Sequence, residues 1–138
     1  MRYRELQKRL SGCTISKGRL KDYTYRIDCG ERVFHVLVLP VSHRHLVTVN
    51  SKHIWNIKSG NLKGIRFQTT SSRMIDLRAF NKRTNRIVLF KHAPYKILKY
   101  INESEVIDIT GKPSVHDTML ARSTQALVKI VKTQVDNG

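Results

Sequence analysis

The chain has 138 residues, with 26 lysines and arginines against 10 aspartates and glutamates, a formal charge of +16. A compact domain holding that much charge of one sign repels itself, and the usual compensating partner is a polyanion, nucleic acid first among them. The length suits one domain whose core closes without disulfide or metal. The longest apolar run, Val36 to Val41 with Pro40 inside it, is far too short to cross a bilayer. The charge is uneven: residues 1–102 carry 22 cations and 5 acids, whereas the near-neutral 103–138 carry 4 and 5.

Tyr3, Leu6 and Leu10 recur at helical spacing, with Arg2, Arg4, Lys8 and Arg9 between them and Gly12 after them. This reads as a short amphipathic helix with a basic face. Residues 14–22, rich in Ser, Gly and Lys, read as a loop carrying Lys17, Arg19 and Lys21, with a brief strand at 13–15. Residues 22–29 and 32–39 flank Gly30-Glu31 as a β-hairpin, and the second segment is apolar on both faces, as a strand covered on both sides would be. Residues 46–50 and 53–58 form short strands around the single tryptophan, Trp55; Ser59-Gly60-Asn61 breaks the pattern.

Residues 65–69, 74–80 and 86–91 are further strands, the last two joined by a polar loop at 81–85 whose tip holds Lys82, Arg83 and Arg86. Pro94 fits the first turn of a helix over 94–102, with Tyr95, Leu98 and Ile101 on one face. Residues 106–109 are β-prone. From Ser114 to about Val135 an apolar stripe spaced for a helix packs on the sheet, or on a second copy of the chain as a homodimer contact.

The two cysteines, Cys13 and Cys29, lack metal-ligand or redox spacing, and Met1 runs into Arg2-Tyr3-Arg4-Glu5 with no apolar leader. Both features read as a reduced, unexported, cytoplasmic protein. No C2H2 spacing, aromatic-rich ribonucleoprotein motif or helix-dense DNA-binding pattern occurs. Aromatics do alternate with cations in Tyr23-Thr24-Tyr25-Arg26, Arg66-Phe67 and Tyr95-Lys96, a composition suited to base stacking with phosphate contacts. For Trp55, Phe67, Phe34, Phe80 and Phe90 taken singly, core packing is the favoured reading.

Three catalytic constellations can be sought among these residues. A Mg²⁺ nuclease needs converging carboxylates beside a lysine, and no Asp-x-Lys or Glu-x-Lys occurs; Asp76-Leu77-Arg78 comes closest. His43 and His45, at i and i+2, would share one strand face and could hold a divalent ion, with Tyr95 or Tyr100 as nucleophile in a nickase arrangement. Arg44 between them is out of place there, and surface histidines on a basic loop are the favoured reading. A metal-independent ribonuclease could use His35, His43, His45, His53 or His92.

The sequence thus describes one α+β domain: a mainly antiparallel sheet, a short N-terminal helix and a longer C-terminal helix. It is expected to bind DNA or RNA by the phosphate backbone through Arg2, Arg4, Lys8, Arg9, Lys17, Arg19, Lys21, Lys82, Arg83 and Arg86. No cofactor is required for that, Mg²⁺ or Mn²⁺ entering only if the chain is a nuclease, and no membrane partner is expected.

Overall fold

In the computed structural model, which describes residues 3–137, two helices cover one face of a six-stranded sheet and a five-stranded sheet covers the other. The elements run α1 (Tyr3–Arg9), β1 (Thr14–Arg19), β2 (Tyr23–Asp28), β3 (Val33–Leu39), β4 (His45–Val49), β5 (Ile54–Lys63) and β6 (Arg66–Asp76). After a 3-10 turn at Phe80–Lys82 come β7 (Arg86–Phe90), β8 (Lys96–Tyr100), β9 (Val106–Asp108), β10 (Ser114–Val115), β11 (Thr118–Ala121) and α2 (Thr124–Asp136). The first sheet has the order β1-β2-β3-β7-β11-β10 and the second β6-β5-β4-β8-β9. Most neighbouring pairs are antiparallel, and β3/β7, β7/β11 and β4/β8 are parallel. The fold class is α+β.

Alternation along the central strands builds both cores. Phe34 and Val36 of β3, with Ile87 and Leu89 of β7, face the helices and pack with Leu6, Leu10, Leu127 and Val131. Leu39, Val88 and Phe90 face the other way, onto Val47, Val49, Trp55, Ile57 and Ile97 of the second sheet. That two-sided covering explains the unbroken apolar run of β3. Two chain crossings between the sheets stack on each other. Leu39 pairs with Phe90 in the first sheet and Leu46 with Lys96 in the second, and between them Lys91 and His92 donate to the carbonyls of Leu39 and Val41.

Several expectations are corrected. Residues 96–100 form strand β8, not a helix: the segment pairs with β4 on one side and β9 on the other, only Ile97 of it is buried, and Pro94 lies buried in the crossing before it. The helix expected from Ser114 begins at Thr124, capped by the Ser123 side chain, which accepts from the Ala126 N–H. Residues 114–121 are instead β10 and β11, joined by a tight turn in which His116 and Asp117 both have positive φ (49° and 60°). Lys17 and Arg19 stand on edge strand β1, not on a loop. Finally, Cys13 and Cys29 form a disulfide between the approach to β1 and the end of β2. A disulfide persists in an oxidising compartment, which overturns the reducing, cytoplasmic reading.

Candidate nucleic-acid interface

Beside the apolar interior of the sandwich, two clefts share Lys21 and Leu37 and so join. The larger, of about 660 Å³, lies between Leu37 of β3 and the end of β6, with Met74, Ile75, Asp76, Arg78 and Lys82 in its wall. The second runs along β1 and β2 past Lys17, Arg19, Tyr23 and Tyr25. Five cations therefore border one continuous surface floored by tyrosine and aliphatic side chains.

Both carboxylates on this surface are already engaged. Asp22 takes a two-pronged contact from Arg83, Nε to Oδ1 at 3.1 Å and Nη2 to Oδ2 at 2.5 Å. That hydrogen bonding holds the Asp22 carboxyl below the usual carboxylate range against the opposing effect of burial. The same guanidinium lies 5.1 Å from the centre of the Tyr23 ring, whose edge meets His35. Asp76 accepts from the Arg78 N–H at 2.9 Å and so caps its own turn.

Residues 81–85 do not form a hairpin loop. They link the second sheet to the first, and of the three cations placed at that tip only Lys82 is free for a ligand. Arg83 is held by Asp22, and Arg86 is a structural bolt. Its Nη1 donates to the carbonyls of Asn81 and Arg83, its Nη2 to that of His116, and its Nε to Thr118 Oγ1. Arg4, Lys8 and Arg9 are exposed on α1 and line neither cleft, although Arg9 borders a separate pocket that shares Tyr25 with the second of them, and Arg2 lies outside the described residues. The structure thus brings together Lys17, Arg19, Lys21 and Lys82 from the expected set and adds Arg78.

His43 is exposed in the turn before β4 and His45 opens that strand. His45 Nδ1 accepts from the Ser42 N–H at 2.9 Å, which leaves the ring proton of the neutral imidazole on Nε2 and no lone pair free for a metal. Among the described residues no group of three or more His, Cys, Asp or Glu side chains could hold a metal ion. Tyr95 is not on a helix; its ring stacks on Phe67 at 5.7 Å with Lys96 above it. Trp55, Phe34, Phe80 and Phe90 are core, and Phe67 is not fully buried.

The sixth histidine, His116, belongs to no motif in the sequence. Burial, aided by Lys99 and Lys52, pushes its pKa down, and its Nδ1 is buried with no partner among the described residues. The only local signal would have been His-Asp at a two-residue turn, where glycine or asparagine is usual. Comparison of the chain with protein-family models, with curated proteins and with solved structures finds no match.

Proposed function

We propose that this protein binds nucleic acid by its phosphate backbone, through the joined clefts lined by Lys17, Arg19, Lys21, Arg78 and Lys82. The observation that carries the reading is the convergence of these five side chains, from β1, the β1–β2 turn and the segment after β6, around a floor containing Tyr23, Tyr25 and Leu37. Asp22 is held by the Arg83 guanidinium, and Asp76 accepts from the Arg78 N–H with the exposed Arg78 side chain 3.8 Å away, so the surface offers Lys17, Arg19, Lys21 and Lys82 before Arg78 to phosphates, and rings to bases. The disulfide adds that the ligand is met where thiols are oxidised. No metal or cofactor is needed.

Binding of a labelled oligonucleotide, followed between 50 and 300 mM NaCl, tests the proposal. Each phosphate neutralised adds about −0.9 to the slope of log K against log salt on duplex DNA, so these contacts give a slope of roughly −4. Lys21→Ala with Lys82→Ala weakens binding to all sequences alike and lowers the slope by about 2. A flat salt dependence overturns the reading, as does tighter binding to a sulfated glycan such as heparin than to any oligonucleotide.

A further inference from the structure

No carboxylate occurs between Glu31 and Asp76, the longest acid-free stretch of the chain, although it contains seven lysines and arginines. Four of them, Lys58, Lys63, Arg66 and Arg73, stand on β5 and β6. These are the longest strands of the fold, with 10 and 11 residues, and they outrun their sheet. β4 accompanies β5 from Trp55 to Ser59; beyond that, the pairs Gly60↔Thr69, Asn61↔Gln68, Leu62↔Phe67 and Lys63↔Arg66 have no third strand beside them. At about 3.3 Å per residue, four such pairs carry the turn roughly 13 Å past the end of β4.

The local chemistry builds this projection. A bulge at Ser59/Gly60 marks its root, and a Cβ at Gly60 would lie 2.0 Å from the Gln68 carbonyl oxygen, so only glycine lets the two strands close there. Gly64, at φ 64°, takes the left-handed conformation that the first position of a primed two-residue turn requires. Phe67 braces one side against Tyr95. The rest is open, and at the tip Ile65 is 95% exposed and Leu62 52%. An edge this long with an apolar tip is a liability for a protein that leaves it unpartnered.

We propose that the β5–β6 ribbon is an arm that enters a groove of duplex DNA, with Lys58, Lys63, Arg66 and Arg73 on the flanking phosphates and Ile65 against the base-pair edges. The inference rests on the nucleic-acid reading above and names the form of the ligand. Charge selects a polyanion, and shape selects among polyanions: the major groove of B-DNA, about 12 Å wide, admits a two-stranded ribbon. The major groove of an RNA duplex is deep and too narrow. The Gln68-Thr69-Thr70-Ser71-Ser72 run supplies short polar side chains and no like charge to repel phosphate. The apolar tip can lean on a thymine methyl or wedge a base step without needing a hydrogen bond.

The test compares the unmodified chain, Lys63→Glu with Arg66→Glu, Ile65→Ser, and Lys21→Ala with Lys82→Ala. Each is titrated against one sequence as DNA duplex, RNA duplex and single-stranded DNA at fixed salt, with thermal unfolding recorded alongside. The unmodified chain is expected to prefer the DNA duplex to the RNA duplex by about tenfold or more. The tip reversal cuts DNA-duplex affinity by about 30-fold and flattens the salt slope by about 2, with single-strand binding far less affected and the unfolding midpoint unmoved. Ile65→Ser, which leaves every charge in place, lowers duplex affinity about threefold to tenfold. Unchanged duplex affinity in both tip variants, while the Lys21/Lys82 variant loses it, overturns the arm and leaves the cleft reading standing. Equal affinity for the two duplexes overturns the choice of DNA. No binding of any nucleic acid by the unmodified chain overturns both readings together.

Discussion

Lys82, Arg83 and Arg86 look alike in the sequence and do three different things. Lys82 is an exposed cation at the cleft, so Lys82→Ala should change unfolding free energy by no more than about 0.5 kcal/mol in a urea titration. Arg86 ties the 3-10 turn and the β10–β11 turn to β7 through four acceptors; lysine has neither the fork nor the reach, and Arg86→Lys should cost about 2–3 kcal/mol in the same titration. Those partners lie 3 to 32 residues away, and Asp22 lies 61 from Arg83, which is why no local reading could sort the three. His116 gives a pH signature. Its folded pKa is pushed below the ordinary 6.5, so the unfolded chain binds the proton first. The stability it contributes is full above that value and is lost as pH falls through 6.5 toward the folded pKa. His116→Asn, which tolerates the left-handed backbone and does not titrate, should flatten the fall in Tm between pH 7 and 5.

Elements with a strong local period were legible: the basic helix α1, the β2–β3 hairpin with Gly30 at φ 87°, and the doubly covered β3. Elements whose identity comes from a distant neighbour were not. β8 and β11 are strands because β4 and β7 lie parallel beside them; Tyr95, Leu98 and Ile101 merely imitate a helical stripe. The cleft was half legible. Lys17, Arg19, Lys21 and Lys82 stand out by charge, but nothing local shows that β6 carries Arg78 to meet them. In the sequence the acid-free ribbon reads as separate short strands at 53–58, 65–69 and 74–80, in part because Gly60 looks like a stop, whereas it marks a bulge inside one long hairpin. The disulfide is the other long-range surprise, closing a span of 16 residues around β1 and β2. A loop of that size constrains the unfolded chain by about 3 kcal/mol, so Cys13→Ser, or dithiothreitol on the unmodified chain, should lower the urea midpoint correspondingly; an unmoved midpoint would deny the bond a stabilising part.

Over the whole molecule the charge is polarised across the second sheet. One edge is β6, acid-free up to Asp76 at its last position; the opposite edge is β9, with Glu103, Glu105 and Asp108 in and beside it. On the proposed function, such a field would turn the β5–β6 ribbon and the cleft toward a polyanion before contact. It also fixes how salt acts on the free and bound states. Only three ion pairs link carboxylates to cations among the described residues, too few to neutralise a formal +16, so repulsion dominates the long-range electrostatics of the free chain. Raising NaCl from 0.1 to 1 M shortens the screening length from about 10 to about 3 Å, which removes that repulsion and hardly touches pairs in contact. The Tm of the free protein should therefore rise with NaCl while affinity for nucleic acid falls over the same range. Calorimetry of the free chain alongside a binding titration reads both slopes. A Tm that falls with salt would mean that attraction between its own groups outweighs their repulsion, and the case for a polyanion from charge alone would fail.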